Sequence, residues 1–387
     1  YLSSQFGASE LESSQNDILN GTDDSLMKQN WLDALADKPK QGANVEVTID
    51  PALQQAAYDQ LVGPGYEGSA VAIQPSTGKI LAMASNPGYN PNDLMGDSAE
   101  DVWASLQEQE GQPLVNHAGA ETLPPGSIFK IITAAAGLNN GFNPSSTLTG
   151  SNVITLPDTV TELTNYANQK CNGQDAVTLQ TAFALSCNTA FVEMSEQLGA
   201  DELRKYAKAF GVGENYDLGV STSAGTLGDL PDGAATAQSA IGQRDVTMTA
   251  LQAAVMAGTV ANKGTRMQPY LVNRITDAQM KDIRTTKPKK ADQAVNEETA
   301  ATLTDLMYAS ERSSAGYDGN GFASKTGTAE HGEGLAPHVW YVAFDPERDI
   351  AVGVVVKNGG NLGESATGGK VSGPIGRAIL RAYQGEQ

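Results

Sequence analysis

The chain has 387 residues, a mass of 40.4 kDa and a formal net charge of −20, from 25 Lys plus Arg against 45 Asp plus Glu. That sign argues against nucleic acid and anionic membrane surfaces as partners, because both are bound through clustered cations. With two cysteines and three histidines, neither a metal nor another cofactor is expected, and no apolar run approaches the ~18–20 residues of a membrane span.

The length fits two or three domains, or one large domain with a small appendage. The chain begins at Tyr1 rather than Met, which reads as a truncated or processed product lacking an N-terminal targeting segment. Residues 1–43 are polar and weakly periodic. Their few apolar anchors are Leu11, Ile18, Leu19, Leu26 and Trp31, and the segment reads as a small piece outside the main core.

The character changes at Val45-Glu-Val-Thr-Ile49, an alternating strand pattern. Asp50-Pro51 follows as N-cap and first helical residue of a helix over Ala52 to Leu61. A hairpin is predicted from Ser69–Gln74 and Lys79–Ala84 around the Pro75-Ser-Thr-Gly78 turn. Helices are predicted over Ile128–Leu138, Leu179–Leu185, Ala190–Leu198, Ala200–Phe210, Met248–Val260 and Asn296–Ala309. Residues 283–293 read as a charged loop. The tail returns to strands at Gly321–Thr328, Val339–Phe344 and Ile350–Val356, then closes on a helix near Gly373–Tyr383. This order predicts an α/β (α+β) domain with a mostly antiparallel sheet flanked by helices and a helical subdomain.

Two glycine motifs carry no nucleotide chemistry. Gly63-Pro-Gly65-Tyr-Glu-Gly68 follows a helix and precedes a strand, the reverse of a dinucleotide-binding loop. Gly368-Gly369-Lys370 lacks both the upstream glycine and the following hydroxyl residue of a P-loop. His331, Glu333 and His338 share one loop but match no zinc spacing.

Ser-x-x-Lys occurs at Ser25/Lys28, Ser76/Lys79 and Ser127/Lys130. Roughly one or two chance matches are expected at this length, so context decides. Ser76 and Lys79 flank a hairpin turn, and Ser25 lies in the polar leader. Ser127 follows Pro124-Pro125-Gly126 and opens an apolar helix, where i, i+3 spacing sets both side chains on one face. Apolar surroundings would desolvate Lys130 and lower its pKa, so that a neutral amine takes the Ser127 proton. The helix start offers free N–H groups to a developing oxyanion. A second motif, Ser186-Cys187-Asn188, lies between two predicted helices. A third, Lys325-Thr326-Gly327-Thr328, ends a strand, and Gly327 would let a substrate approach the backbone.

Ser-x-x-Lys, Ser-x-Asn and Lys-Thr-Gly in this order are the motif set of penicillin-recognising serine enzymes. The sequence resembles the class B penicillin-binding proteins, monofunctional D,D-transpeptidases of the bacterial cell wall, over nearly its whole length. Val45–Asp50 with Gln54, Gly78–Ser85, Leu123–Lys130, Ala184–Phe191 and Ile241–Gln243 are similar to segments of that family. Gly7–Glu12 and Leu19–Gly21 resemble the end of its N-terminal pedestal, and Gly242-Gln-Arg-Asp-Val246 resembles the actinobacterial A-type, cell-division subgroup. Arg244, where many members have Gly, and Ala250, where many have Pro, depart from the pattern.

The resemblance implies a penicillin-binding, serine β-lactamase-like fold over residues 44–387, with 1–43 as a partial pedestal. It implies that Ser127 is acylated by a stem peptide ending in D-Ala-D-Ala, with Lys130 as general base. Ser186 would relay a proton, and Asn188 would steady Lys130 and bind a substrate amide. Lys325 would supply positive potential; Thr326, Gly327 and Thr328 would bind the substrate carboxylate end. The backbone N–H groups of Ser127 and Thr328 would form the oxyanion hole. Further implications are inhibition by β-lactams, an extracytoplasmic membrane-anchored location, and a divisome or glycosyltransferase partner. Each support has a plainer alternative: Ser186 or Asn188 as a helix cap, Thr326 and Thr328 as ordinary strand residues. Trp340 and Tyr341 read as core or groove wall. In an extracytoplasmic compartment Cys171 and Cys187 are expected to pair, the alternative being two buried thiols. Rival functions are a D,D-carboxypeptidase or β-lactamase, and a non-catalytic β-lactam sensor or wall scaffold.

Overall fold

The computed structural model describes residues 2–3, 5–26, 31, 41–332 and 334–385. Lys28 and Glu333 lie outside the described residues. The centre is a five-stranded antiparallel sheet of β1 (Gly68–Ile73), β2 (Ile80–Asn86), β3 (Ala323–Ala329), β4 (His338–Asp345) and β5 (Ile350–Val356). Its spatial order is β3-β4-β5-β1-β2, so β3 is an edge strand. The register pairs Lys325 with Val342 and Gly327 with Trp340.

Alternation along β4 divides the core. Trp340, Val342 and Phe344 join the larger apolar cluster, whereas Val339, Tyr341 and Ala343 join a second cluster on the opposite face. Both faces are covered, which is why β4 and β5 read as unbroken apolar runs. The second face carries α1 (Pro51–Val62) and the C-terminal helix, Ser372–Ala382. Asp50 caps α1 as predicted, its carboxylate accepting from the Ala52 and Leu53 amides at 2.8 and 3.1 Å.

The larger cluster is built from α2 (Lys130–Asn139), α3 (Leu179–Ala184), α4 (Asn188–Ala209), α5 (Gly233–Ala240), α6 (Ala250–Ala261) and α7 (Glu297–Ser313). The C-terminal helix is α8. Helix α6 lies directly on the sheet: a Cβ on Gly353 of β5 would stand 2.5 Å from the Ala250 carbonyl oxygen. The two helices predicted on either side of Gly199 are both present within α4, which breaks at that glycine, where φ is 74° and ψ 171°.

Two predictions are corrected. Residues 283–293 are not a loop throughout. Asp282–Thr285 pairs with Val272–Thr276, which pairs with Asn44–Val47; Lys290–Gln293 pairs with Thr265–Met267. Their side chains are mostly exposed, so no apolar alternation marks them, and the backbone ladder decides; Ile283 alone packs onto a small apolar cluster. Secondly, Ser127 does not open the α-helix. It sits in a 3₁₀ turn, Gly126–Phe129, and α2 starts at Lys130. Side chains three apart eclipse in a 3₁₀ turn, so the Ser127/Lys130 relation survives the change.

Of the five apolar anchors in the N-terminal segment, Ile18 and Leu26 are buried with Ala43 and Ile275, while Leu19 and Trp31 are exposed. Glu10 accepts from the Ser221 amide and hydroxyl at 2.7 and 2.8 Å. Phe6 stacks on Trp103 with ring centroids 4.9 Å apart. No helix among the described residues is long and apolar enough to cross a membrane.

Candidate active site

The nucleophile turn is clamped from both sides. Gly126 has φ +54°, and a Cβ there would stand 2.6 Å from the Thr328 carbonyl oxygen; its amide donates to Gly242 at 2.9 Å. On Gly327 a Cβ would meet the Pro125 oxygen at 2.7 Å. Glycines at these positions let β3 and the turn touch through their backbones, bringing Ser127 beside Thr328. The Trp340 indole donates to the Pro124 carbonyl at 2.8 Å and holds the turn to the sheet.

Lys130 is fully buried. Its Nζ donates to the Ser186 carbonyl at 2.7 Å, the Ser186 hydroxyl at 3.3 Å and Asn188 Oδ1 at 2.7 Å. Lys325, also fully buried, reaches the same Ser186 Oγ at 2.9 Å and the Thr326 carbonyl at 3.0 Å. Two amines thus meet at one hydroxyl in a site largely closed to water. Burial, and then repulsion from Lys325, hold Lys130 well below the ordinary lysine value; burial pushes Lys325 down to about 7.

Ser186 lies in the α3–α4 connection with φ 60°, a left-handed backbone that a serine adopts only when its surroundings hold it there. Cys187, not Ser186, occupies the N-cap of α4, and no side chain caps that end. The capping alternative therefore does not describe Ser186, and Asn188 is the first helical residue. Asn188 Nδ2 donates to the Thr164 carbonyl at 3.0 Å. Because a carbonyl oxygen only accepts, the atom facing Thr164 must be the amide nitrogen and the one facing Lys130 the amide oxygen, which engages both ends of Asn188 within the protein. Cys187 forms a disulfide with Cys171, Cα atoms 5.8 Å apart.

Positions that motif reading passed over also shape the site. A Cβ on Gly368, from the rejected Gly-Gly-Lys triplet, would stand 2.2 Å from the Trp340 oxygen and 2.7 Å from that of Gly327. Glu311 and Arg377 form a buried ion pair at 2.7 Å behind Ser324. Nothing in their local sequence signals it, since they lie on separate helices. His331 and His338 stack at 3.9 Å; His331 Nε2 donates to the Ala336 carbonyl, and His338 Nδ1 accepts from the Asn358 amide. No group of three or more His, Cys, Asp or Glu side chains able to hold a metal occurs among the described residues.

Residues 68–381 match the family model of the penicillin binding protein transpeptidase domain. The chain belongs to this family. As a penicillin-binding transpeptidase it carries the fold expected from its three motifs. Residues 1–45 match the penicillin binding protein A dimerisation domain. The peptidoglycan D,D-transpeptidase PbpA of Mycolicibacterium smegmatis is 43% identical over 400 residues, covering 99% of this chain and 81% of the relative. PbpA of Mycobacterium tuberculosis is 40% identical over 402 residues, with 100% and 82% coverage. Among solved structures, the penicillin G acyl-enzyme complex of M. tuberculosis penicillin-binding protein A superposes with a TM-score of 0.94 at 40% identity, covering 99% of this chain and 90% of that one. The ceftriaxone acyl-enzyme complex of that protein gives 0.95 at 40% identity, covering 99% and 89%. This penicillin-binding transpeptidase is a serine D,D-transpeptidase; the β-lactam acyl-enzymes are structures of its M. tuberculosis relative.

Proposed function

We propose that Ser127 is the residue acylated, in the cross-linking of peptidoglycan stem peptides. Its Oγ attacks the carbonyl of the penultimate D-Ala while neutral Lys130 takes the hydroxyl proton. The C–N bond to the terminal D-Ala then breaks, and Ser186 passes a proton to the departing amine. An acceptor amine attacks the Ser127 ester, forms the new peptide bond and restores the serine. A β-lactam follows the first half of this path and leaves a stable acyl-enzyme.

The observation that carries this reading is the meeting of the Lys130 and Lys325 amines at Ser186 Oγ, 3.3 and 2.9 Å away. Two ammonium ions in a dry site repel, so one amine stays neutral and serves as base, and a proton route runs through the hydroxyl between them. Lys325 and the Thr326 and Thr328 hydroxyls would receive the substrate carboxylate beside Gly327, and the Ser127 and Thr328 amides its oxyanion. Asn188 acts here by holding Lys130; its amide donor is already engaged by Thr164.

Peptidoglycan lies outside the cytoplasmic membrane, and the catalytic domain works there. A membrane anchor in the full-length protein, a divisome or glycosyltransferase partner and a role in septal wall synthesis belong to the same proposal. They are supported by the resemblance around Gly242–Val246 and of residues 1–43 to a pedestal. Digestion and mass spectrometry after benzylpenicillin treatment test the site. A penicilloyl adduct on the Ser127 peptide, absent from Ser127→Ala, is expected; an adduct that persists in that variant contradicts the assignment.

A further inference from the structure

Behind the Lys-Thr-Gly strand lies an ionic cluster to which the reaction assigns no part. Glu311, in the last turns of α7, is fully enclosed, and four donors saturate its carboxylate. Oε1 accepts from Arg377 Nε at 2.7 Å and Asn320 Nδ2 at 2.9 Å; Oε2 accepts from the Tyr341 hydroxyl at 2.9 Å and from the Ser324 hydroxyl. Arg377, from α8 and 2% exposed, turns its remaining nitrogens to the Ala315 carbonyl at 3.1 Å and Ser314 Oγ at 2.5 Å. Its guanidinium lies 5.4 Å from the Tyr341 ring centre. Burial alone pushes the Glu311 carboxyl up, but the hydrogen bonds from Arg377, Ser324 and Asn320 outweigh it and keep the group ionised.

A buried ion pair adds little net stability over an apolar pair of the same shape. What this one does is gather α7, α8 and β4 on one carboxylate, whose Oε2 also holds the hydroxyl of Ser324, the residue preceding Lys325. The place matters because β3 is the sheet's edge: its one ladder neighbour among the described residues is β4. On the free side no strand fixes it. Ser324 and Lys325 project to opposite faces of the strand. A hold on the Ser324 side chain therefore fixes the backbone from which Lys325 extends toward Ser186, 2.9 Å from its hydroxyl.

We propose that Ser324 and Glu311 are positioning residues of the transpeptidase: the carboxylate, held rigid by Arg377, clamps the Ser324 hydroxyl and sets the distance of the edge strand from Ser127 and Ser186. The inference rests on the reading of Ser127 as the acylated residue. Tyr341 provides the control. It donates to the same Glu311 oxygen from β4, the strand paired with β3, and its hydroxyl also meets the Ser324 side chain; Tyr341→Phe removes that hydroxyl but leaves the Ser324–Glu311 hydrogen bond, which Ser324→Ala removes.

The test is stopped-flow acylation of the whole chain by a fluorescent penicillin, with rates expressed per titrated active site, the adduct mapped by mass spectrometry and thermal unfolding recorded in parallel. Both variants are expected to lose similar amounts of Tm. Ser324→Ala is expected to acylate about tenfold or more slowly, as for a small misplacement of reacting groups, with the concentration for half-maximal rate within about twofold of wild type. Tyr341→Phe is expected to acylate within about twofold of wild type. Ser324→Cys, nearly isosteric and a weak donor, should slow the step in the same sense and keeps the test available if the alanine variant does not fold. An unchanged rate in Ser324→Ala or Ser324→Cys, or equal slowing in Tyr341→Phe, overturns the positioning role alone. A wild-type adduct absent from Ser127 overturns that role together with the site assignment.

Discussion

Lys325 is enclosed by protein, and burial pushes it down to about 7. Between that value and the ordinary lysine value of 10.5, the unfolded chain binds a proton that the folded protein has released. Stability from this residue is therefore lowest below about 7 and rises with pH across the window. Replacing Lys325 by Met should stabilise the protein at pH 7, on the order of 1–3 kcal/mol, while acylation falls. Denaturant unfolding of both proteins at pH 7 and pH 10 checks this. The gap should narrow toward pH 10, and a less stable Lys325→Met protein at pH 7 contradicts it. At this scale the site is unevenly legible. Ser127, Lys130, Ser186, Asn188 and Lys325 stand out because three short motifs recur in a fixed order. Ser324, Glu311 and Arg377 do not, because their meeting depends on how α7 and α8 pack against the sheet.

Among the elements, the α3–α4 connection carries two of the supporting residues and is tied at Cys187 to Cys171, 16 residues earlier. Closing a loop of that length constrains the unfolded chain by about 3 kcal/mol in the entropy account. Reduction, or Cys171→Ser with Cys187→Ser, should lower unfolding free energy by about that amount and slow acylation by loosening the Ser186 and Asn188 positions. Thiol titration of the denatured protein accompanies the measurement: two further thiols should appear with reductant. Equal counts and equal stability with and without reductant contradict the role. Elements with strong local signals were readable, such as α1 behind Asp50-Pro51 and the β1–β2 hairpin around Gly78. Those with none were not. The exposed strands at Asp282–Thr285 and Lys290–Gln293 exist through backbone pairing, which leaves no trace in residue type. The 3₁₀ turn at Ser127 is likewise imposed by contact with β3 and Gly242 rather than by local propensity.

Over the whole molecule, the chain's −20 charge surrounds a centre holding two buried lysines, an arrangement suited to a substrate that ends in a carboxylate. The N-terminal segment docks through Glu10 on Ser221, whose carbonyl in turn accepts from Asn116 Nδ2 at 3.0 Å. The same connection continues through the Leu123–Met248 and Gly126–Gly242 contacts to the nucleophile turn. None of this docking was visible in composition, since Glu10 and Ser221 are ordinary polar residues until the fold brings them together. Whether acyl transfer, rather than hydrolysis, completes the cycle is the claim on which the account turns. It is tested most directly by incubating the protein with a D-Ala-D-Ala peptide or thioester mimic and a D-amino acid acceptor, and separating the products by mass. The account predicts an acceptor-linked peptide that increases with acceptor concentration at the expense of the hydrolysed peptide, and neither product from Ser127→Ala. Hydrolysed peptide alone at every acceptor concentration would contradict it.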